Sequence, residues 1–246
     1  MIKKRMTDEI DEKWCPVNKR ELRAKRLLAR QVLERIGHVE FKPETSAKWV
    51  DITRSWDGSI RVQIEHDTIK GVTPEMMRWW FENLAMTTTW NGDDLGGPEV
   101  SFYHLWHHRD HIAVTPLTMG RDGAKNNGFA LGAKSMIQEQ FNDHHDRIQA
   151  TVLTTRLNNQ EFTFVIKKFG LTAGHIVHLY SPTPDGISFY AETVIGSKIP
   201  IIGWLLNWLI IPWIYTKKSA ENWIRHNIEE TGRSETVIPP LYAMKK

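Results

Sequence analysis

The sequence predicts an α+β fold: a long antiparallel sheet wrapped on a C-terminal helix, with a small, mainly helical region before it. Three features lead there. Six segments with strand-like alternation, SFYHLWHH, SMIQEQF, TVLTTRL, EFTFVIKKF, AGHIVHLY and ISFYAETVI, succeed one another across short turn signals. A helical pattern, ENWIRHNIEETG, follows them, and a charge-dense amphipathic pattern precedes them. Consecutive strands with short links form an antiparallel meander, one face of which must be buried, so the final helix is expected to cover that face and enclose a pocket. A chain of 246 residues is long enough to do this around a large core.

In chain order, ELRAKRLLARQVLERIG places Leu22, Leu27, Leu28, Val32, Leu33 and Ile36 on one broad stripe, with Gly37 as the stop. Its basic face, Arg20, Arg23, Lys25, Arg26 and Arg30, reads as solvated charge. From Ser59 to Lys70 the chain alternates Ile60, Val62 and Ile64 with Arg61, Gln63 and Glu65, the pattern of a half-buried strand. Thr73 as N-cap and Pro74 in the first turn open a helix to about Leu84 that buries Met77, Trp80, Phe81 and Leu84. A boundary near residue 70 follows, with 1–70 as a helical N-terminal region and 71–246 as the main domain. Hairpin joints fall at Leu157-Asn158-Asn159 and from Ser181 to Gly186. The last helix is expected from Ser219 to Gly232, with ETVIPPLY as an extended tail.

Composition narrows the function. An apolar share of 41% with 10% aromatics excludes a disordered chain, and a net charge of only +3 argues against a nucleic-acid partner. The single Cys15 cannot form an internal disulfide, and MIKKRMTDEIDEKW lacks the apolar core of a secretory signal, so a cytoplasmic location is the expectation. Residues Ile199 to Tyr215 read IPIIGWLLNWLIIPWIY, seventeen residues without formal charge. A spanning helix needs about 20, and this run holds Pro200, Gly203, Asn207 and Pro212, so no transmembrane segment is expected. A buried or lid-forming helix or a subunit contact fits the run. Trp204, Trp208 and Trp213, between Lys198 and Lys217-Lys218, would also suit a segment lying on a bilayer surface.

The histidines are clustered. His104, His107, His108 and His111 put four of the eleven into eight residues, and imidazoles so placed serve as metal ligands or acid-base groups more readily than as packing units. If this segment is a strand, His104 and His108 face one way and His107 the other, so only one or two can share a site. Asp110 is a natural acceptor for the ring of a neighbouring ligand. On the last helix His226 and Glu230, four residues apart, leave the same face and can reach one metal ion or merely each other, and Trp223 shares that face. Glu139 shares a strand face with Ile137 and Phe141, where a carboxylate is either exposed or held by a cation. His175 and Tyr190 lie on adjacent strands that could set imidazole and phenol side by side for proton transfer, although a lone strand histidine also serves as a satisfied core residue. His178 competes with His175 from the opposite face. His144 and His145, in NDHHDR, read as a solvated loop.

Tyr103 with HHRDH, then Glu139, then His175 with Tyr190, then His226-x-x-x-Glu230, in that order and spacing, resembles the diacetylphloroglucinol hydrolase family, to which phloretin hydrolase is related. The resemblance spans residues 70 to 235. It implies a helix-grip fold of the Bet v 1/START type, a dimerising N-terminal region, and zinc-dependent hydrolysis of a carbon–carbon bond between a phenolic ring and an acyl group. By position it makes His111, Glu139, His226 and Glu230 the metal ligands, His175 the catalytic histidine, and Tyr103 and Tyr190 the residues that hold substrate. One position departs: Val114 stands where the family places Asn, which bears on the substrate more than on the reaction.

The expected chemistry is that of an aryl ketone cleaved by water, with flanking phenols letting the ring carbon leave. A mixed His and carboxylate set suits zinc, with cobalt, manganese or iron as alternatives. His175 would move protons, and Tyr103 and Tyr190 would orient ring oxygens. The expected partners are an acylated phenol and a second copy of the chain. The competing expectation is a helix-grip module that binds an apolar or aromatic molecule without turning it over.

Overall fold

Period-two alternation from residue 134 to residue 195 builds the body of the sheet. The computed structural model of the protein describes residues 19–91, 96–142, 146–168, 171–199 and 202–244. Cys15, His144, His145 and Pro200 lie outside the described residues. Five long strands succeed one another: β7 (Lys134–Phe141), β8 (Asp146–Leu157), β9 (Glu161–Lys168), β10 (Leu171–Thr183) and β11 (Gly186–Ile195). Each pairs antiparallel with the next, as the sequence predicts.

The sheet extends further at both edges. β1 (Trp49–Arg54) pairs with β2 (Ile60–Glu65), and β2 pairs with β11; at the far side β6 (His111–Pro116) pairs with β7. The nine-stranded order is β1-β2-β11-β10-β9-β8-β7-β6, with the short β3 (Ile69–Lys70) beside β11. This corrects the boundary near residue 70. Ile60, Val62 and Ile64 are buried against the main sheet, so a cut at 70 would sever the β2–β11 ladder. Among the described residues, α1 (Lys19–Ile36) and residues 37–48 precede the sheet. α1 docks through Val32 and Ile36, while Leu27, Leu28 and Leu33 remain exposed.

Thr73 caps α2 (Pro74–Asn83) by accepting from the Met76 amide, and Met77, Trp80 and Phe81 are buried as expected. The short strands β4 (Thr87–Thr89) and β5 (Glu99–Ser101) form a separate ribbon. SFYHLWHH is not a strand. Ser101 Oγ accepts the His104 amide at 3.1 Å and opens α3 (Phe102–Trp106). One helical turn buries Phe102, Tyr103, Leu105 and Trp106 together, which a strand with two opposed faces could not do against a single core.

The apolar run forms α4 (Ile202–Leu209) and α5 (Ile211–Ile214), and the chain closes with α6 (Lys217–Ala243), which Thr216 and Ser219 begin with reciprocal capping bonds. Here too the expectation is corrected, because α6 runs through Gly232 and through Pro239 and Pro240. Val237, Ile238 and Leu241 are buried, and that burial outweighs the helix bonds lost at the prolines. Gly232 answers a close approach instead of a stop: a Cβ there would come within 2.7 Å of the Lys42 stem, whose Nζ pairs with Glu235 at 2.5 Å. The sheet curls around α6, with α2 and α3 alongside; this is the helix-grip arrangement.

Two buried imidazoles carry an acid sensitivity. Burial holds His66 down to about 3 and His178 down to about 4, against 6.5 for a free histidine. The unfolded chain takes these protons near 6.5 and the folded chain does not, so the associated stability is intact above that pH and is lost as the pH falls through this window. Urea unfolding at stepped pH is expected to show it. His66→Gln, which keeps a donor for Asn227, should reduce the dependence by about 1 kcal/mol per pH unit; an unchanged slope would contradict the assignment.

Candidate metal centre

α6 carries His226 and Glu230 on the face turned toward the sheet, and both are buried. β6 begins at His111, whose Cα partner on β7 is Glu139. The two elements bring His111 Nε2 to 3.3 Å and His226 Nε2 to 3.6 Å from Glu230 Oε2. Bonds of ~2.0–2.1 Å in a tetrahedral set place neighbouring ligand atoms about 3.3 Å apart, so this spacing fits one metal ion.

Hydrogen bonding at the far nitrogens fixes which atoms are offered. His111 Nδ1 donates to the Tyr103 carbonyl at 2.6 Å, and His226 Nδ1 donates to Asp110 Oδ2 at 3.2 Å. In the neutral ring each Nε2 is therefore the nitrogen that offers a lone pair, and His111 Nε2 is buried without a hydrogen-bond partner. Glu230 is held from behind as well. His66 Nε2 donates to Asn227 Oδ1 at 3.0 Å, and Asn227 Nδ2 donates to Glu230 Oε1 at 2.8 Å, which leaves Oε2 facing the imidazoles.

The electrostatics follow from burial and proximity. Burial and the neighbouring His226 push His111 down to about 3. Burial alone would lower His226, but Glu230, Asp110 and Glu139 raise it to about 9, so a metal ion would bind at Nε2 by displacing its proton. Burial raises Glu230 to about 7 against the opposing pull of His226 and Asn227. Asp110 stays below the usual carboxylate range: burial would raise it, but His226, His107 and Arg109 more than offset that.

His107, Asp110 and His226 also lie close together, yet they do not form an equivalent site. The Asp110 amide donates to His107 Nδ1 at 3.0 Å, so its Nε2 carries the proton and donates to Glu229 at 2.9 Å. No lone pair is left on that ring for a cation. His107 and His108 both stack on Phe41, and burial holds His104 down to about 4. Of the four clustered histidines, His111 alone joins the group with Glu230.

His226 and Glu230 line a cavity of about 510 Å³ between the concave sheet face and α6. Phe81, Phe129, Phe162, Phe164, Ile137 and Ile176 make much of its wall. Tyr103 also lines it, with its ring stacked on His111 at 3.6 Å and its hydroxyl donating to Glu139. Burial first, then the Glu139 charge, raises the Tyr103 phenol well above its ordinary value and keeps it protonated. Glu139 thus stands in the cavity beside the three ligand atoms, engaged by Tyr103, and outside the group whose ligand atoms all lie within 4.8 Å. Val114 is packed in the core opposite Ile137 of β7.

His175 and Tyr190 are not brought to this site, which corrects the reading of them as cavity residues. On β10 the inward positions are Ile176 and His178; on β11 they are Thr193 and Ile195. His175 and Tyr190 alternate with these and lie on the outer sheet face. They are not opposite each other either: His175 pairs with Val194 and Tyr190 with Leu179. Glu192 lies between them, accepting from Tyr190 at 3.0 Å and 3.7 Å from His175. The β10 imidazole that lines the cavity is His178, stacked with the rings of Phe81 and Phe162. Sequence reasoning missed the His66–Asn227 support of Glu230. Its one signal was an amide next to His226 on a helix whose neighbouring face is apolar.

No family model matches the chain, and no curated protein matches it. Solved structures resemble it distantly. A protein of unknown function from Staphylococcus aureus is 11% identical with a TM-score of 0.39, over 76% of this chain and 97% of that one. A Mycobacterium smegmatis protein is 8% identical with a TM-score of 0.37, over 80% and 99%. Human STARD10 is 7% identical with a TM-score of 0.34, over 95% and 91%.

The supporting bond to His226 yields a test. Asp110→Asn is expected to lower zinc affinity roughly 10- to 100-fold while the far-ultraviolet circular dichroism is retained. A zinc titration that leaves affinity unchanged would remove Asp110 from the site.

Proposed function

We propose that the protein is a metal-dependent hydrolase that cleaves the carbon–carbon bond between a phenolic ring and an acyl group. The observation that carries this is the convergence of two buried imidazole Nε2 atoms and one carboxylate beside an aromatic-lined cavity that His226 and Glu230 line. His111, His226 and Glu230 would hold the ion, zinc by preference and cobalt, manganese or iron otherwise, with Glu139, paired with His111 across β6 and β7, as the fourth candidate ligand. Bound there, the ion would supply Lewis acidity at the acyl carbonyl.

The chain's own residues account for the rest. The phenylalanine walls exclude water from an acylated aromatic ring and hold it flat. Tyr103, kept protonated, would turn its hydroxyl from Glu139 to a ring or acyl oxygen when substrate binds, and the Glu139 carboxylate so released would take a proton from attacking water. Water adds its oxygen to the acyl carbon, the ring–acyl bond breaks with its electron pair passing to the ring carbon, and a proton returns to that carbon. The products are a carboxylic acid and the deacylated phenol. Because His175 and Tyr190 face outward, proton handling in this reading belongs to the Tyr103–Glu139 pair. The exposed Leu27, Leu28 and Leu33 of α1 are the surface through which a second copy would pair.

Elemental analysis of protein purified without added metal or chelator is the direct test. About one metal ion per chain is expected, lost in Glu230→Ala, together with release of carboxylic acid from acylphloroglucinols by the native chain alone. Absence of metal in the native chain even after incubation with zinc, or full activity in Glu230→Ala, would overturn the proposal.

A further inference from the structure

The apolar run of α4 and α5 is built inside out. A helix that packs on its own protein turns polar residues to water and apolar ones inward. In α4 the one polar side chain, Asn207, is 1% exposed. Its Oδ1 accepts the Ser197 amide at 2.7 Å, and its Nδ2 donates to the carbonyls of Asp57 and Ser197 at 3.1 Å each. Asn207 staples the helix to the β1–β2 hairpin and the end of β11 by its polar side. The staple leaves Trp204, Leu205, Trp208 and Leu209 on the outer face, all exposed. α5 continues the surface with Trp213 at 85% and Ile214 at 62% exposure, and Trp56 on the neighbouring hairpin is also 85% exposed. Trp208 Nε1 donates to the Trp56 carbonyl at 3.4 Å, so hairpin and helix form one patch.

A contiguous surface of this kind on a folded chain marks a contact. The charges around it identify the partner. From Lys198 to Lys218 there is no Asp or Glu, and Lys198, Lys217 and Lys218 are exposed at the ends of the run. Arg54 lies over the Trp208 ring at 5.4 Å, and Arg54 and Lys217 share the walls of a cleft of about 300 Å³ beside α5. The carboxylates near the rim are already engaged: Asp57 accepts from Ser59, and Glu221 faces Lys217 and Lys218 at 3.8 and 3.9 Å. In a symmetric pairing of this patch with itself, cations would face cations. Tryptophans ringed by cations match instead the boundary between acyl chains and anionic headgroups.

We infer that α4 and α5, with Lys198, Lys217, Lys218 and the Trp56 hairpin, dock the protein on the surface of a bilayer that contains anionic lipid. The tryptophans and leucines enter the headgroup boundary, and Arg54, Lys198, Lys217 and Lys218 meet the phosphates. Among the described residues no helix is long and apolar enough to cross a membrane, so the contact is a peripheral one. Ile214 and Tyr215 also line the large cavity, so docking sets one edge of that cavity against the lipid.

Co-sedimentation of the full chain with vesicles tests this, using phosphatidylcholine alone and phosphatidylcholine mixed with phosphatidylserine. The expected result is binding to the mixed vesicles, about ten-fold or more weaker on phosphatidylcholine alone and weakened by salt. Trp204→Ser with Trp213→Ser should reduce binding to both compositions, whereas Lys217→Glu with Lys218→Glu should reduce only the anionic preference. All four side chains are exposed, so circular dichroism and metal content should match the native chain. Failure of the native chain to sediment with either vesicle would overturn the inference. So would binding that survives the tryptophan pair, or a solution dimer that the tryptophan pair dissociates.

Discussion

The structure depends on one electrostatic constraint: α6 carries an imidazole and a carboxylate, His226 and Glu230, into the interior on the face that the sheet must cover. Groups of this kind are costly to bury unless each polar atom is engaged. Much of the surrounding structure answers that requirement. Asp110 accepts from His226 and is itself flanked by Arg109 and Arg225 at 3.6 and 3.5 Å. Asn227, backed by His66, engages the far oxygen of Glu230. What remains is directional, since His111 Nε2 and His226 Nε2 both approach Glu230 Oε2, at 3.3 and 3.6 Å, and the three atoms can share a cation.

The same arrangement divides the cavity. The polar groups beside the ligand atoms, Tyr103, Glu139, His226 and Glu230, come from α3, β7 and α6, and much of the apolar wall from the alternating inner positions of β7 to β11. A ligand with an aromatic body and a polar acyl oxygen matches that division, whereas an apolar chain with no acceptor would leave the ligand atoms unused. The sheet needs β1 and β2 at its edge, and the hairpin between them also anchors α4 through the Asp57 carbonyl. Core, cavity and apolar surface are therefore mechanically continuous: Asn207 fixes α4, α4 leads into α5, and α5 supplies Ile214 to the cavity rim.

Much of the fold was legible in the sequence because strand alternation and helix capping are local. SMIQEQF, TVLTTRL, EFTFVIKK, AGHIVHLY and ISFYAETVI all fall in strands, and Thr73-Pro74 opens a helix as its chemistry requires. The local rules failed where long-range burial outweighed them. SFYHLWHH has strand composition, yet four of its side chains share one core and Ser101 caps a helical turn. Gly232 and Pro239-Pro240 signal a helix end, yet the apolar face beyond them is buried. The isoleucine alternation before residue 70 showed a strand but not its partner, and only the ladder with β11 places it in the main sheet.

For the site, the sequence alone determined that His226 and Glu230 share a helix face, because a rise of 3.6 residues per turn is a property of the backbone. It also determined that His175 and His178 lie on opposite faces of β10, because a strand alternates with a period of two. It could not determine which of those faces meets α6, nor which of four neighbouring histidines completes the group. Those choices were made by the tertiary structure. The curl of the sheet turns Ile176 and His178 inward and leaves His175 and Tyr190 outside, and the turn after α3 aims His111 Nε2 at Glu230 while the Asp110 amide takes up the lone pair of His107. Periodicity specifies which residues travel together, and burial across elements far apart in sequence decides where they go.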